Sequence, residues 1–314
     1  MNYFFLMKKN NSRYPDFLVI GAGKSGTTSI DKYFNQHPDI FMARKEPCYF
    51  AIKNFESIND PNDKEQMLYY PDGVIDTEEY LHLFDDAIEG QLLGEVSPIY
   101  LNSEVAPVEI KKAIPEVKMI AILRHPAERL YSRYLHLASE FQAPDINLLF
   151  DRESIWHKRN DYVKEGYYAK NLKRFYDLFR EDQLKVILFE DFKVSPMQTM
   201  SELYEFVGAN SEFEPDMTIQ YNKSGFIKNR YLDKLYGKDG FVNKLFKKAN
   251  PNIYYKLKSN PLVYKTLLKL RGANMESPPL TLDLKRKITE EFYYEDIKSL
   301  EVMLNRSLKS WYEL

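Results

Sequence analysis

Short, nearly continuous apolar runs recur along the chain, and segments with helical spacing of apolar residues lie between them. Apolar runs of about five residues are typical of strands that are buried on both faces of a parallel sheet. Such runs occur at residues 17–21, 92–96, 119–123 and 185–189. Alternation of strands and helices predicts an α/β fold, with a P-loop-like parallel sheet flanked by helices on both faces.

Capping residues and apolar spacing predict where several helices begin and end. One helix is predicted over 26–36, after the first strand. Another is predicted over 77–84 with Asp76 as its N-cap, and Pro126 opens a third because its missing N–H costs nothing in a first turn. A further helix is indicated by four residues at helical spacing: Tyr168, Leu172, Phe175 and Phe179.

The C-terminal part of the chain combines a basic segment with an amphipathic one. Residues 223–271 contain thirteen Lys or Arg and only two acidic residues, although the 314-residue chain has a formal net charge of −2. We predict a basic helical lid or insertion at about 223–275. It is either a solvated excursion, a cover for ligand phosphates, or a face for an anionic acceptor or membrane surface. The helix predicted over 281–304 turns three apolar residues inward: Ile288, Phe292 and Leu300.

Composition restricts the class of protein. The near-neutral charge does not indicate a nucleic-acid polymer as partner, and the length suits an N-terminal arm over 1–14 followed by a single domain over 15–314. The single cysteine, Cys48, excludes an intramolecular disulfide and fits a reducing compartment. No signal peptide or transmembrane segment is predicted, so we expect a cytoplasmic protein. The sequence does not determine the oligomeric state.

The first strand runs directly into a glycine turn, from Phe17 to Ser29, and this turn is the most informative local feature. Glycines let backbone N–H groups converge on an oxyanion, the next helix adds its positive N-terminus, and Lys24 supplies a mobile charge. The ligand is therefore predicted to carry phosphate or sulfate, unless the turn is purely structural. A nucleotide triphosphate loop, G-x-x-x-x-G-K-[ST], would need glycine where this chain has Leu18.

A second segment predicts another anion site at the same edge of the sheet. Arg124 ends the strand 119–123, and Ser132 lies eight residues later on the helix that Pro126 opens. These two side chains can close on a second phosphate at the edge where open α/β sheets bind ligands. The alternative is a surface arginine that is paired with Glu128.

Together the two segments resemble the 5′-phosphosulfate loop and the 3′-phosphate site of sulfotransferases that use 3′-phosphoadenosine 5′-phosphosulfate (PAPS). The resemblance covers roughly residues 15 to 225 and is greatest to the heparan-sulfate-type and related bacterial branch. Four further runs carry it: His37–Phe50, Gly94–Tyr100, Gly166–Leu172 and Val186–Asp191. It implies transfer of a sulfuryl group to a hydroxyl or amine of an acceptor, a small metabolite or a glycan. The products then include 3′-phosphoadenosine 5′-phosphate (PAP), and no metal is required.

The resemblance also implies the roles of individual residues. Lys24 is expected to be catalytic, because it can meet the charge that grows on the bridging oxygen. Glu46 is expected to be the base, although beside Arg44 and Lys45 it could equally belong to a surface ion pair. Donor binding is expected from ten residues: Gly23, Lys24, Ser25, Gly26, Thr27, Thr28, Arg124, Ser132, Tyr168 and Arg230.

Other features keep alternatives open. Val96 precedes Ser97-Pro98 where several glycan enzymes of this family have a lysine, so a second lysine at the sulfuryl group is in doubt. Glu190-Asp191 after a strand imitates a Walker B end, which favours a P-loop kinase that uses ATP as the second hypothesis. A phosphonucleotide-binding module without catalysis is the third. His37 and His125 lack metal-ligand spacing, so no metal site is predicted.

Overall fold

The computed structural model describes residues 13–43, 46–53, 70, 72–139, 143–218, 226–229, 231–232 and 274–314.

A five-stranded parallel sheet forms the centre of the fold, in the order β2-β3-β1-β4-β5. The strands are β1 (Phe17–Gly21), β2 (Ile40–Met42), β3 (Leu92–Val96), β4 (Lys118–Leu123) and β5 (Leu184–Leu188). The four predicted strands are confirmed, although β4 starts one residue earlier than predicted and β5 both starts and ends one residue earlier. Strand β2 was not predicted, because three residues are too few to show a periodic pattern.

Eleven helices accompany the sheet in the part of the chain that the structure describes. They are α1 (Thr27–Phe34), α2 (Tyr49–Ile52), α3 (Thr77–His82), α4 (Ala106–Ala113), α5 (Pro126–Ser139), α6 (Ile155–Lys158), α7 (Tyr168–Tyr176), α8 (Phe189–Val194), α9 (Pro196–Val207), α10 (Leu282–Ile288) and α11 (Tyr294–Met303). Asp76 caps α3 as predicted, since its Oδ1 accepts a hydrogen bond of 2.8 Å from the Glu79 N–H. Among these helices, none is long and apolar enough to cross a membrane.

Alternate residues of β1 face two separate apolar layers. Phe17 and Val19 pack in one layer with α1 and α9, whereas Leu18 and Ile20 pack in the other with α4, α5, α7 and the C-terminal helices. A strand that is buried on both faces needs apolar residues at every position, which is the pattern read from the sequence. The predicted sheet with helices on both faces is confirmed.

The predicted helix over 281–304 needs a correction, because it is not one continuous α-helix. It begins after Thr281, whose hydroxyl accepts from the Leu284 N–H at 3.3 Å, but a π-helical turn separates α10 from α11. Phe292 and Tyr293, which lie in this turn, are both buried. Ile288, Phe292 and Leu300 are buried as predicted.

The predicted basic segment at about 223–275 lies largely outside the described residues, as does most of the predicted arm over 1–14. The structure describes residues at the two ends of the basic segment. Strand β6 (Phe226–Ile227) pairs antiparallel with β7 (Met275–Glu276), so the chain returns to the point where it left the domain. The Phe226 ring lies 5.8 Å from that of Tyr134, which places this junction against α5.

Candidate active site

The glycine turn lies at the carboxyl end of β1 and leads into α1. Lys24 and Gly26 both adopt left-handed backbone conformations, with φ of 66° and 104°. A Cβ atom at Gly26 would lie 3.1 Å from the ring of Phe189, so only glycine fits this turn without displacing that ring. Left-handed residues reverse the chain within the loop and leave Lys24 in the wall of a cleft.

Gly23 lines the cleft, but its amide has a partner inside the protein. The Gly23 N–H donates to Glu165 Oε1 at 2.5 Å, and Glu165 is itself buried. Glu165 Oε2 accepts in turn from Arg129 Nη1 at 2.8 Å, and the Arg129 side chain is fully buried. The Gly23 N–H therefore holds the loop in place and is not available to a ligand in this conformation.

The remaining loop residues fit a bound anion. Ser25 is the exception, because it is fully buried and lines neither cavity; its hydroxyl has no hydrogen-bond partner and lies near the Tyr168 hydroxyl. No side chain caps the N-terminus of α1, where backbone N–H groups point outward. Gly26, Thr27 and Thr28 line the cleft beside Lys24. An uncapped helix N-terminus that opens into a cleft beside a lysine fits phosphate or sulfate.

Arg124 and Ser132, the residues of the predicted second anion site, lie together in the wall of the cleft. Both line the loop cleft, which has a volume of about 440 Å³, and both also line an adjoining cavity of about 480 Å³. The Arg124 guanidinium lies 5.2 Å from the centre of the Phe189 ring, and its Nη2 is 3.1 Å from Glu128 Oε2. The pairing with Glu128 that was considered as an alternative is thus present, but within the cavity wall.

Tyr168 was predicted to bind the cofactor, yet it is fully buried and does not line either cavity. Its hydroxyl donates to the backbone carbonyl of Arg124 at 2.8 Å. In this structure Tyr168 positions Arg124 from beneath. Arg230, the remaining predicted donor residue, lies outside the described residues.

Glu46 lies on the loop between β2 and α2 and lines the cleft with Lys24 and Arg133. Glu46 is exposed to the cleft. The protein atoms around it nevertheless desolvate its carboxylate, and this desolvation raises the pKa of Glu46 to about 7. The charge of Asp31 raises this pKa further, and the positive charges of Arg133 and Lys24 oppose the shift. A carboxyl group with this pKa can accept a proton near neutral pH.

A buried polar network supports the Glu46 loop. Two residues after Glu46, the Cys48 N–H donates to Ser97 Oγ at 2.9 Å, and Ser97 donates to Glu95 Oε1 at 2.5 Å. Glu95 is completely buried and also accepts from the hydroxyls of Tyr80 and Tyr100. Because these bonds tie the loop to the end of β3, the backbone around Glu46 is held against the sheet.

Sequence reasoning missed several residues that line the cleft or its extension: Tyr70, Arg133, His136, Asp161, Glu165 and Lys285. Arg133 was the easiest of these residues to predict, since it directly follows Ser132 on the same helix. Glu165 and Lys285 had no comparable signal, because they are separated from their partners Gly23 and Glu128 by 142 and 157 residues.

The residues that imitate a Walker B end have other partners. The Asp191 carboxylate forms an ion pair with Arg306, whose Nη2 is 2.8 Å from Asp191 Oδ1. Glu190 Oε1 accepts from the His125 N–H at 3.2 Å. His125 itself is buried against Trp311, and burial together with the charge of Lys285 lowers the pKa of His125 to about 4. This arrangement does not favour the kinase hypothesis.

Comparison with known proteins agrees with this geometry. A family model described as the sulfotransferase domain matches residues 14–234. Bifunctional heparan sulfate N-deacetylase/N-sulfotransferase 2 from Bos taurus is 25% identical over 225 residues, which are 69% of this chain and 24% of that protein. N-deacetylase/N-sulfotransferase 3 from Mus musculus is 28% identical over 226 residues, 68% of this chain and 24% of that protein.

The chain spans about a quarter of the length of these curated relatives. A solved structure covers it far more completely. The sulfotransferase from Alicyclobacillus acidocaldarius is 26% identical with a TM-score of 0.66, over 95% of this chain and 99% of that one. Since the family model matches well over half of the chain, the chain belongs to the sulfotransferase domain family.

Proposed function

We propose that this chain moves the sulfuryl group of PAPS to a hydroxyl or amine of a small metabolite, with Lys24 and Glu46 as catalytic residues. One observation carries the proposal. The loop around Lys24, the pair Arg124 and Ser132, and the carboxylate of Glu46 all open into one continuous cleft. Two separated anion sites and a base are what this transfer needs.

Each end of the donor has a matching set of groups. Gly26 to Thr28 bind the 5′-phosphate through the N-terminus of α1 and the threonine hydroxyls, and the buried Ser25 remains a proposed donor residue from the sequence alone. Arg124 and Ser132 bind the ribose 3′-phosphate by charge-assisted and hydroxyl hydrogen bonds. Tyr168 contributes indirectly by holding the backbone of Arg124. Arg230 remains a proposed donor residue from the sequence alone.

The chemical step requires a base on one side of the sulfur and a cation on the other. Glu46 accepts the proton of the acceptor O–H or N–H, and the acceptor atom forms a bond to sulfur. The bond from sulfur to the bridging oxygen breaks, and its electron pair stays on the 5′-phosphate of PAP. Lys24 stabilises the negative charge on that oxygen, so its contribution is largest in the transition state.

The charged groups of the cleft beside Glu46 are paired with one another. Asp161 and Glu165 lie in its wall with Arg133, which is 3.9 and 3.6 Å from their carboxylates. Val96 is packed in the core, so no second lysine reaches the sulfuryl group from that position. Asp161 is also paired with Arg159 and Glu165 with Arg129, so the charge of this wall is balanced, and the small metabolite is a proposal that the product analysis below tests. A glycan, as in the name of the curated relatives, is the alternative acceptor.

A binding experiment tests the donor, and a product analysis tests the acceptor. PAP is expected to raise the melting temperature more than ATP with magnesium, because a linear triphosphate does not reach both anion sites. Greater stabilisation by ATP would contradict the proposal. Candidate metabolites and glycans incubated with PAPS are then searched by mass spectrometry for the gain of one sulfuryl group.

We also propose that residues 15–314 act as one domain in a reducing, cytoplasmic compartment. The family match begins at residue 14, and Cys48 is a buried free thiol, which support this proposal.

A further inference from the structure

The donor cleft continues into a cavity whose wall includes a residue of the C-terminal helix α10. This cavity of about 480 Å³ is lined by Arg124 and Ser132 on one side and by Pro278 to Leu280 and Lys285 on the other. Lys285 is 157 residues from Glu128 along the chain, and only the fold brings it here. A C-terminal cation thus shares a wall with the two residues assigned to the 3′-phosphate.

Lys285 and Arg124 are held by the same carboxylate. Glu128 Oε1 accepts from Lys285 Nζ at 2.8 Å, and Glu128 Oε2 accepts from Arg124 Nη2 at 3.1 Å and from Arg124 Nε at 3.3 Å. The side chain of Lys285 is 19% exposed, that of Glu128 33% and that of Arg124 24%. Water therefore screens the charges of this cluster only in part. Two cations around one carboxylate leave one positive charge in the cavity wall.

We propose that Lys285 joins Arg124 in binding the 3′-phosphate of the nucleotide, and that Glu128 orients both cations and limits how tightly they bind it. This inference rests on the proposed donor site. A phosphate monoester carries more charge than one carboxylate and can accept from both cations at once. A nucleotide without a 3′-phosphate has no anionic group that these two cations could bind. The cluster therefore determines selectivity for 3′-phosphorylated nucleotides.

The test measures two probes that differ only in the 3′-phosphate, PAP and AMP, by isothermal titration calorimetry. In Lys285→Met, PAP affinity is expected to fall by roughly 10- to 100-fold, the loss of one charge-assisted bond, while AMP affinity stays unchanged. Lys287→Met is the matched control. It removes the same charge from the same helix, but Lys287 lies 4.1 Å over the Phe150 ring and does not line the cavity.

A second variant keeps the proposal testable if Lys285→Met alters folding. Glu128→Gln removes the competing negative charge, so PAP affinity is expected to rise by severalfold and AMP affinity to stay the same. If the cluster were only a structural link, both variants would lower the melting temperature without any PAP-selective change in affinity, which overturns the proposal. Equal losses for PAP and AMP overturn it as well.

Failure of the donor assignment has a different signature. Wild-type protein that does not prefer PAP to AMP contradicts the proposed two-phosphate site itself. Wild-type protein that prefers PAP, together with an unchanged preference in Lys285→Met, contradicts only the role of Lys285.

Discussion

At the scale of single residues, the cleft contains a cation suited to the developing negative charge and a carboxylate suited to accept a proton. Lys24 is presented by a left-handed turn at the carboxyl end of β1, and Glu46 lines the same cleft with a pKa of about 7. Substitution of either residue is expected to affect turnover more than nucleotide binding, for different reasons.

Lys24→Ala is expected to lower turnover on the order of 100-fold or more, because it removes the cation that meets the developing charge on the bridging oxygen. PAP affinity should fall by less than turnover, since the loop hydroxyls and amides remain. Single-turnover rates and PAP calorimetry measure the two effects separately. Equal losses in both would mean that Lys24 only binds the nucleotide.

Glu46→Gln is expected to abolish most turnover and to leave PAP affinity nearly unchanged, because glutamine keeps the size of the side chain but accepts no proton. In the wild type, kcat/KM should rise with pH through about 7, where Glu46 loses its proton. A pH–rate profile measures this limb. Residual activity of Glu46→Gln with the same limb would exclude Glu46 as the base.

The same pKa predicts an effect on stability. The pKa of Glu46 is about 7 in the folded protein and ordinarily near 4.5, so between these values the folded state binds more protons than the unfolded state. Stability contributed by this group therefore falls as pH rises from about 4.5 to 7. Glu46→Gln should gain stability relative to wild type over that interval, which urea denaturation at pH 4.5 and pH 8 would detect.

At the scale of elements, a buried ion pair connects the phosphate loop to two segments behind it. Arg129 on α5 is paired with Glu165, which lies in the 3₁₀ turn Lys164–Gly166 and holds the Gly23 N–H. Arg129 also donates to the backbone carbonyls of Asp161 and Tyr162. The position of the loop thus depends on elements far from it in sequence.

Arg129→Met is expected to destabilise the fold by about 3–5 kcal/mol, because it leaves the Glu165 carboxylate buried without its main counterion. The double variant Arg129→Met/Glu165→Gln should recover part of this loss, since the charge is then removed as well. Urea denaturation of the two single variants and the double variant measures the coupling. Additive losses would show that the pair does not act as a unit.

At the scale of the whole molecule, the C-terminus returns to support the donor site. Trp311 is buried in the core layer that also contains Tyr168, and its ring lies 5.8 Å from that of His125, next to Arg124. Arg306 joins the same region to α8 through Asp191. The far end of the chain therefore contributes to the core and contacts residues next to the proposed 3′-phosphate site.

Trp311→Ala is expected to lower the free energy of unfolding by about 3–5 kcal/mol through loss of a large buried side chain. PAP affinity should weaken in addition, because the layer beneath Arg124 and Tyr168 loosens. Val302→Ala is the control, since Val302 is 81% exposed on α11 and should change neither quantity. Unchanged PAP affinity in a folded Trp311→Ala protein would show that the C-terminus supports only the core.

The sequence by itself determined the features that depend on consecutive residues. A buried strand, a glycine turn and a helix in immediate succession specify the loop around Lys24, and the strand before Arg124 brings Ser132 to the same edge. Their local geometry follows from backbone sterics and from the shared edge of parallel strands, so no distant contact is needed to predict it.

Only the tertiary structure decided which groups meet across long separations. It assigned the Gly23 N–H to Glu165, buried Tyr168 beneath Arg124, divided the C-terminal helix by a π turn, and placed Lys285 beside Glu128. Such contacts depend on how helices pack on the two faces of the sheet. Periodicity specifies which side of a helix is buried, but it does not specify which residue that side will contact.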